Sequence, residues 1–226
     1  MSKNLQQKIY SNFHLNFFDR ILNKKRFEIT NIVNKFISDK NLHDVLDIGT
    51  TNDEKNLSSN IIIKNLKGLK DFKCLSDQVI TLRFFSKSLE KSITQDLSDK
   101  EIENFSSDLV ISNATIEHVG SKTDQLKMIE NVIRLCKKYF IIITPNRFHP
   151  IEFHTKIPFI HWLPKKMHRA ILSLIGQKFL ASEKNLNLLS RNDLESFMKK
   201  LEFKNYEIKN INFLFFISNY ILIGKK

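Results

Sequence analysis

The stretch Tyr139-Phe140-Ile141-Ile142-Ile143-Thr144 is apolar almost throughout and stops at Pro145. A strand with one face in water would alternate apolar and polar residues, because successive side chains point to opposite faces of a sheet. This stretch does not alternate, so it predicts a strand that is buried on both faces, as in a parallel sheet covered by helices. The segment before it carries apolar residues at helical spacing: Leu126, Ile129, Val132, Ile133 and Cys136.

Further strands and helices are predicted on both sides of this stretch. Polar-bounded apolar runs predict upstream strands at residues 44–48, 72–75 and 107–112. Downstream, residues 192–201 predict a helix, followed by an antiparallel pair of strands at residues 206–208 and 218–223. Apolar residues at mixed three- and four-residue spacing predict an N-terminal helical segment over residues 1–40. The alternation of strands and helices is typical of an α/β protein with a doubly wound sheet.

The composition fits one globular domain with a sizeable core. The chain has 226 residues, of which 42% are hydrophobic, and no linker rich in Gly, Pro or Ser divides it. Lys and Arg number 36 against 24 Asp and Glu, a net charge of +12, but the basic residues are scattered along the sequence. No nucleic-acid-binding motif accompanies them, so we interpret the charge as a solvated lysine-rich surface and expect no nucleic-acid partner.

The cysteines and the hydrophobic segments bear on the cellular compartment. Cys74 and Cys136 lie in apolar surroundings, which is typical of reduced thiols, and two cysteines cannot form a disulfide framework. The first residues lack the apolar core of a signal peptide. The longest nearly apolar stretch, residues 211–224, is interrupted by polar residues and is shorter than the ~20 residues that cross a bilayer. These features predict a cytoplasmic protein.

Polar residues follow the predicted strands, where an open α/β sheet binds its ligands. Asp47 and Gly49 end the first strand; the carboxylate suits an ammonium group, and the glycine lets a ligand approach the main chain. Asp77 lies about thirty residues further on, where a nucleotide-binding βαβ unit places its acceptor for ribose hydroxyls. Each of these residues alone is also typical of a cap or turn, so it is their order along the chain that indicates a site.

Three segments at these strand ends resemble motifs of the class I S-adenosylmethionine-dependent methyltransferases: residues 45–53, 107–119 and 139–146. The likeness is strongest to a bacterial, methyltransferase type 11-like branch, whose type domain includes the ubiquinone-biosynthesis enzymes. Segments typical of that branch follow at residues 145–148, 150–155, 161–164 and 183–190. The resemblance covers roughly residue 44 to the C-terminus and implies a methyltransferase that uses S-adenosylmethionine (SAM). Since no domain boundary is visible, we expect a single methyltransferase domain over residues 1–226. The resemblance also implies a Rossmann-like sheet of seven strands, mostly parallel, with helices on both faces and the last strand antiparallel.

The same resemblance implies which residues bind SAM. The first motif surrounds the methionine part with Asp47, Ile48, Gly49, Thr50 and Thr51. The second strand offers Ser76 or Asp77 for the ribose, and Asp96 is the candidate next to adenine. The fourth-strand motif lines the floor beneath the methyl group with Ser112, Asn113 and Ala114. Thr50 and Thr51 stand where the family usually has glycines, and Ser76 stands where an acidic residue is usual.

The candidate catalytic residues are Glu117 and His118, which follow the fourth predicted strand, and His154. One hypothesis makes His118 the general base for an acceptor hydroxyl, with His154 as a second candidate. In related ubiquinone enzymes a Glu in this motif helps hold a divalent cation, and the resemblance implies that role as an alternative for Glu117. A third interpretation is that Glu117 and His118 only cap or orient the following helix.

Residues 147–190 predict an insertion that binds the methyl acceptor or closes over it as a lid. Histidines and aromatic residues are interleaved in it, which is typical of a pocket for a small molecule, a saccharide or a lipid intermediate. Pro150 interrupts regular helix, and the histidine spacing fits no standard zinc pattern, so we expect no metal ligands. Residues 165–179 form a basic amphipathic stretch, either a lid, a weak contact with an anionic membrane surface, or a helix packed on the domain.

Two other classes of protein use a similar sheet. A nucleotide-cofactor oxidoreductase needs spaced glycines in its first loop to hold a pyrophosphate, and here Gly49 is followed by Thr50 and Thr51. A SAM-binding or RNA-binding module without transfer activity would keep the same fold. Steep salt dependence of RNA binding would distinguish such a module from a small-molecule enzyme.

Overall fold

The computed structural model describes residues 16–53, 59–213 and 215–226. Across these ranges the strands are β1 (Asp44–Ile48), β2 (Asp71–Ser76), β3 (Lys87–Glu90), β4 (Ser107–Asn113), β5 (Cys136–Pro145), β6 (Tyr206–Phe213) and β7 (Phe216–Lys225). The helices are α1 (Asn16–Ile37), α2 (Ile61–Lys64), α3 (Asp99–Phe105), α4 (Lys122–Leu135), α5 (Lys165–Leu174) and α6 (Arg191–Lys200). Short 3-10 turns cover Ile116–His118 and Ile160–Trp162.

The strands form one sheet in the order β3-β2-β1-β4-β5-β7-β6. β7 runs antiparallel to both of its neighbours, and the remaining pairs are parallel. This confirms the predicted doubly wound, mostly parallel sheet with an antiparallel last strand. The strand order reverses between β1 and β4, which is the point at which open α/β sheets have their ligand-binding crevice, beyond the carboxyl ends of the strands.

The central strands are buried on both faces because helices cover both faces of the sheet. All five residues of β1 are buried. Leu46 and Ile48 pack in one layer with α4 and α6, whereas Val45 packs in the opposite layer with α1 and α2. Side chains of β4 and β5 alternate between the same two layers. The uninterrupted apolar run at residues 139–144 is therefore explained as the sequence indicated, by burial of both faces of the strand.

Several elements differ from the sequence-based expectation or extend it. β3 was not located from the sequence, because three of its four residues are exposed and it has no apolar run. Cys136 begins β5 rather than continuing α4. α1 lies within the predicted N-terminal helical segment, whose first fifteen residues are outside the described part of the chain. No helix in that part is both long and apolar enough to cross a membrane.

The excursion between β5 and α6 covers residues 147–190 and packs around a small apolar cluster of its own. The cluster consists of Leu172, Leu180, Leu186 and Leu188. The excursion starts and ends side by side, since the Arg147 amide donates to the Leu189 carbonyl at 2.9 Å. Its residues are thereby attached where β5 ends, next to the crevice.

Candidate functional site

The carboxyl end of β1 holds a buried carboxylate, Asp47, and Gly49 directly follows the strand. Asp47 is only 8% exposed, and its Oδ2 accepts a hydrogen bond from Thr50 Oγ1 at 2.6 Å. Burial raises the pKa of Asp47 to about 6, although the hydrogen bond from Thr50 by itself lowers that pKa. Gly49 has φ +90°, and a Cβ there would lie 2.2 Å from Thr115 Oγ1. Only glycine therefore fits this position, for reasons of both backbone conformation and space.

Hydroxyl groups join the carboxyl ends of the strands to one another. Ser76 Oγ donates to the Thr50 carbonyl at 2.8 Å, and Ser112 Oγ donates to the Ile48 carbonyl at 3.1 Å. Thr115 Oγ1 donates to the same Ile48 carbonyl at 3.2 Å. The structure thus brings Asp47, Gly49 and Thr50 together with Ser76 and Ser112 at one edge, as predicted. It also shows that the two serines hold the loops in place.

The other predicted cofactor residues differ in how accessible they are. Ile48 lies inside the core, whereas Asp77 is exposed directly beyond β2. Thr51 is exposed and is held by Asn60, whose side chain bonds both the amide and the carbonyl of Thr51. Beyond β4, Asn113 is half-buried and Ala114 is exposed with φ 52°. Of these residues, Thr51, Asp77 and Ala114 present the most surface to a ligand.

Asp96, the residue predicted to lie next to adenine, is in the loop between β3 and α3. Its side chain is 90% exposed and pairs with Lys127 of α4 at 3.0 Å. Asn131 of the same helix anchors the loop by donating to the carbonyls of Ile93 and Gln95. The acidic residue at the carboxyl end of β3 is Glu90, which lies beside Ser76 in the register of the two strands. Sequence reasoning missed Glu90 because β3 was not recognised.

The candidate catalytic residues form one cluster, although 36 residues separate His118 from His154. Their Nε2 atoms lie 3.0 Å apart, with the two rings nearly perpendicular. His118 Nδ1 donates to the Asn185 carbonyl at 2.6 Å. His154 Nδ1 lies 2.5 Å from Glu152 Oε1, which also accepts from the His154 amide. Nδ1 of each ring is therefore fixed by a hydrogen bond, and the two Nε2 atoms face each other.

Glu117 completes this cluster from the sheet side. Its carboxylate is fully buried, and Oε2 accepts from Thr144 Oγ1 at 3.1 Å. Oε1 lies 4.0 Å from His154 Nε2 and has no hydrogen-bond partner among the described residues. A buried carboxylate oxygen without a partner is uncommon in folded proteins. The third sequence interpretation, a capping role, does not account for this placement, because Ser121 and Asp124 form the capping box of α4.

The charges of the cluster follow from burial and proximity. Burial, and then the nearby His154, lower the pKa of His118 to about 4. Burial also lowers the pKa of His154, but the carboxylates of Glu152 and Glu117 outweigh it and raise that pKa above its usual value. Burial alone would raise the pKa of Glu152; His154 and two backbone amides instead lower it to about 2. Burial raises the pKa of Glu117.

Elements from distant parts of the sequence hold the cluster in position. Glu117 and His118 lie in the 3-10 turn after β4, while His154 comes from the excursion. The Asn187 amide donates to the Glu117 carbonyl at 2.7 Å, and Gln125 Nε2 donates to the Asn187 carbonyl at 2.7 Å. Sequence reasoning missed Thr144, Glu152 and Asn185 as partners. For Glu152, a carboxylate two residues before a candidate histidine was the available signal.

The remaining histidines of the excursion serve its internal packing. His161 Nε2 donates to the His149 carbonyl at 2.6 Å, and the His149 ring stacks on Phe153. A cavity of about 10 Å³ adjoins His161 and His168. A larger cavity, about 270 Å³, lies among Ile63, Phe84 and neighbouring side chains and contains none of the predicted cofactor residues.

The strand order, the reversal at β1 and β4 and the antiparallel β7 together define the fold of the SAM-dependent methyltransferases. Magnesium protoporphyrin IX methyltransferase from Synechocystis PCC 6803, solved with bound SAH, is similar over 98% of this chain and 92% of its own, with TM-score 0.56 and 13% identity. The N-methyltransferase NodS from Bradyrhizobium japonicum WM9 is similar over 90% of this chain and 97% of its own, with TM-score 0.54 and 10% identity. A SAM-dependent methyltransferase from Archaeoglobus fulgidus is similar over 93% of this chain and 100% of its own, with TM-score 0.52 and 13% identity. No protein-family model and no curated protein matches the chain.

Proposed function

We propose that this protein is a SAM-dependent methyltransferase that transfers the methyl group by in-line displacement to a small-molecule, saccharide or lipid-intermediate acceptor. The observation that carries the proposal is the Asp47 carboxylate, which is buried where the strand order reverses, close to Gly49, whose main chain no side chain covers. A desolvated carboxylate gains from a cationic ligand, because the pairing replaces the hydration that burial removed. The ammonium group of the methionine part of SAM supplies such a cation. The fold shared with SAM-dependent methyltransferases supports the same choice of ligand.

The rest of the cofactor is proposed to extend along the carboxyl edge. Asp77 and Glu90 are exposed carboxylates at the ends of β2 and β3, suited to accept hydrogen bonds from ribose hydroxyls or the adenine amino group. Asn113 and Ala114 then lie under the methyl group. Glu90 takes over the position proposed from the sequence for Asp96, whose carboxylate is already paired with Lys127.

The acceptor is proposed to bind where the excursion meets the crevice. His154 of the excursion contacts His118 after β4, so an acceptor that touches both lies between the two parts of the chain. Methyl transfer from a sulfonium needs an aligned acceptor and little water, since the donor already carries its leaving group. The chain's own contribution is therefore to position the acceptor oxygen, nitrogen or carbon in line with the methyl group.

A weak contact with an anionic membrane surface is proposed for helix α5 and the residues after it. Met167, Leu174 and Ile175 are exposed, and Leu174 is 86% exposed. Lys166, Lys178 and other basic residues of the stretch accompany them. Exposed apolar side chains flanked by lysines favour adsorption to anionic lipid, which would suit a lipid-linked acceptor.

Isothermal titration calorimetry with SAM, SAH and NAD tests the proposed function. We expect binding of SAM and SAH to the unmodified protein, and loss of that binding in Asp47→Ala. Asp99→Asn, which removes an exposed carboxylate from the first turn of α3, is the matched control and should bind SAM normally. Binding of NAD alone would instead identify a nucleotide-cofactor oxidoreductase. Salt-sensitive RNA binding without SAM binding would identify an RNA-binding module.

A further inference from the structure

We propose that Glu117, His118 and His154 bind one divalent transition-metal ion at the boundary between the sheet and the excursion. The ligand atoms are Glu117 Oε1 and the Nε2 atoms of the two histidines, which lie within 4.8 Å of one another. The inference deepens the proposed function, because it assigns a chemical role at the acceptor side of that site. Ion binding is measured separately from SAM binding, so that each can fail alone.

The facing imidazoles are the first reason. Ligand bonds of about 2.0–2.1 Å place neighbouring ligand atoms of one ion about 3.0–3.4 Å apart. The two Nε2 atoms are 3.0 Å apart. The Asn185 carbonyl can only accept, so the His118 proton lies on Nδ1 and its Nε2 presents a lone pair towards His154. An ion that replaces the proton between the rings would use both nitrogens as ligands.

The unpartnered oxygen of Glu117 is the second reason. The carboxylate is fully buried, and only Oε2 is engaged, by Thr144. Oε1 faces the histidine pair at 4.0 Å from His154 Nε2, which is longer than the spacing of two ligands on one ion. Binding therefore requires the carboxylate to move towards the imidazoles, and a cation between them supplies the attraction for that movement.

The supporting hydrogen bonds are the third reason. Histidine ligands almost always donate their remote N–H to a carboxylate or a carbonyl, which fixes the ring and its tautomer. Here His154 Nδ1 donates to Glu152 and His118 Nδ1 donates to the Asn185 carbonyl. Glu152 is itself fixed by the amides of His154 and Thr155. Both proposed histidine ligands thus have the outer partners that metal-bound histidines have.

The donor set indicates the class of ion. Mg²⁺ and Ca²⁺ favour sites made entirely of oxygen, whereas two imidazoles and one carboxylate suit Zn²⁺, Co²⁺, Mn²⁺ or Fe²⁺. Three protein ligands leave at least one coordination position for water or an acceptor atom. When bound, such an ion acts as a Lewis acid that lowers the pKa of a coordinated hydroxyl. The acceptor class that fits this site carries a hydroxyl group next to a second coordinating oxygen or nitrogen.

Metal binding is measured directly on the full chain after treatment with a chelator. Titration with zinc chloride should show one tight site per chain, unaffected by a large excess of magnesium chloride. Glu152→Gln removes a hydrogen-bond partner of a ligand and should weaken zinc binding by ~10–100-fold. Glu117→Gln and His154→Gln each remove a ligand and should weaken it by more than that. His43→Gln, which removes an exposed histidine at the other end of β1, should leave the affinity unchanged.

A spectroscopic measurement on the unmodified chain keeps the inference testable if a variant fails to fold. X-ray absorption of the zinc-loaded protein should show nitrogen and oxygen ligands with imidazole scattering and no sulfur. Absence of stoichiometric binding, sulfur ligation, or unchanged affinity in folded Glu117→Gln and His154→Gln would overturn the metal site. Retained SAM binding in that case would leave the proposed function intact, whereas zinc binding without SAM binding would overturn the proposed function alone.

Discussion

Replacing Asp47 by asparagine should stabilise the ligand-free protein while it removes the affinity for SAM. Asparagine keeps the size of the side chain and an oxygen that can accept from Thr50 Oγ1, so the 2.6 Å hydrogen bond has a substitute acceptor. What the substitution removes is a negative charge in a buried position. That charge is unfavourable for the empty site and favourable once an ammonium group is bound.

The magnitude follows from the pKa of the carboxyl group. Burial raises the pKa of Asp47 from 3.8 to about 6. At about 1.4 kcal/mol per pKa unit, this difference corresponds to about 3 kcal/mol. Because the pKa is raised on folding, the folded state favours the protonated carboxyl, and stability is lost as the pH rises from 3.8 through 6. Above that range Asp47→Asn should gain up to about 3 kcal/mol, and near pH 4 it should gain almost nothing.

Urea unfolding of the ligand-free protein at several pH values measures this gain as a free energy, and thermal unfolding measures it as a shift in Tm. For a chain of this size, about 3 kcal/mol corresponds to a rise in Tm of about 6–12 °C at pH 8. Calorimetry on the same samples should show that SAM binding is lost. A variant that is less stable than the unmodified protein at pH 8, and still binds SAM, would refute the reasoning about the buried charge.

Further substitutions test other contacts by denaturation or vesicle binding. In urea unfolding, Gly49→Ala should lose about 1–3 kcal/mol of stability from backbone strain alone. Adding Thr115→Ala to that variant should restore only the further loss that comes from the 2.2 Å contact with Thr115 Oγ1. Lys73→Met should cost about 3–5 kcal/mol in the same assay, because it leaves Asp44, 2.8 Å away in a buried pair, without its partner; a loss below 1 kcal/mol would contradict this. Leu174→Glu should reduce co-sedimentation with anionic but not neutral vesicles; unchanged binding would exclude α5.

The fold could be predicted where burial controls the residue types. β1, β4 and β5 are covered on both faces, so neighbouring residues within each strand are apolar and the strands are recognisable without any knowledge of their neighbours. β3 is an exposed edge strand whose place depends on pairing with β2, and nothing in its four residues encodes that pairing.

The candidate site could be predicted only in its local parts. Asp47 and Gly49 adjoin a recognisable strand, so their position at the carboxyl edge follows from the sequence. Glu117 and His154 were each singled out as candidates, but their proximity depends on how the excursion folds back across the end of β5. Contacts such as that between His118 and the Asn185 carbonyl, 67 residues apart, leave no periodicity or spacing that a sequence could display.

The independent packing of the excursion has a consequence for how the molecule can change. Its leucine cluster shares no member with the two layers that cover the sheet. A chimera that carries a foreign segment in place of residues 148–186 would therefore keep its sheet, the helices that cover the sheet and Asp47, yet lose α5, His154 and Asn185. Under the proposed function, the residues that bind the methyl donor and those that select its acceptor would then lie on separate stretches of the chain, so that the second stretch could change while the first stays the same.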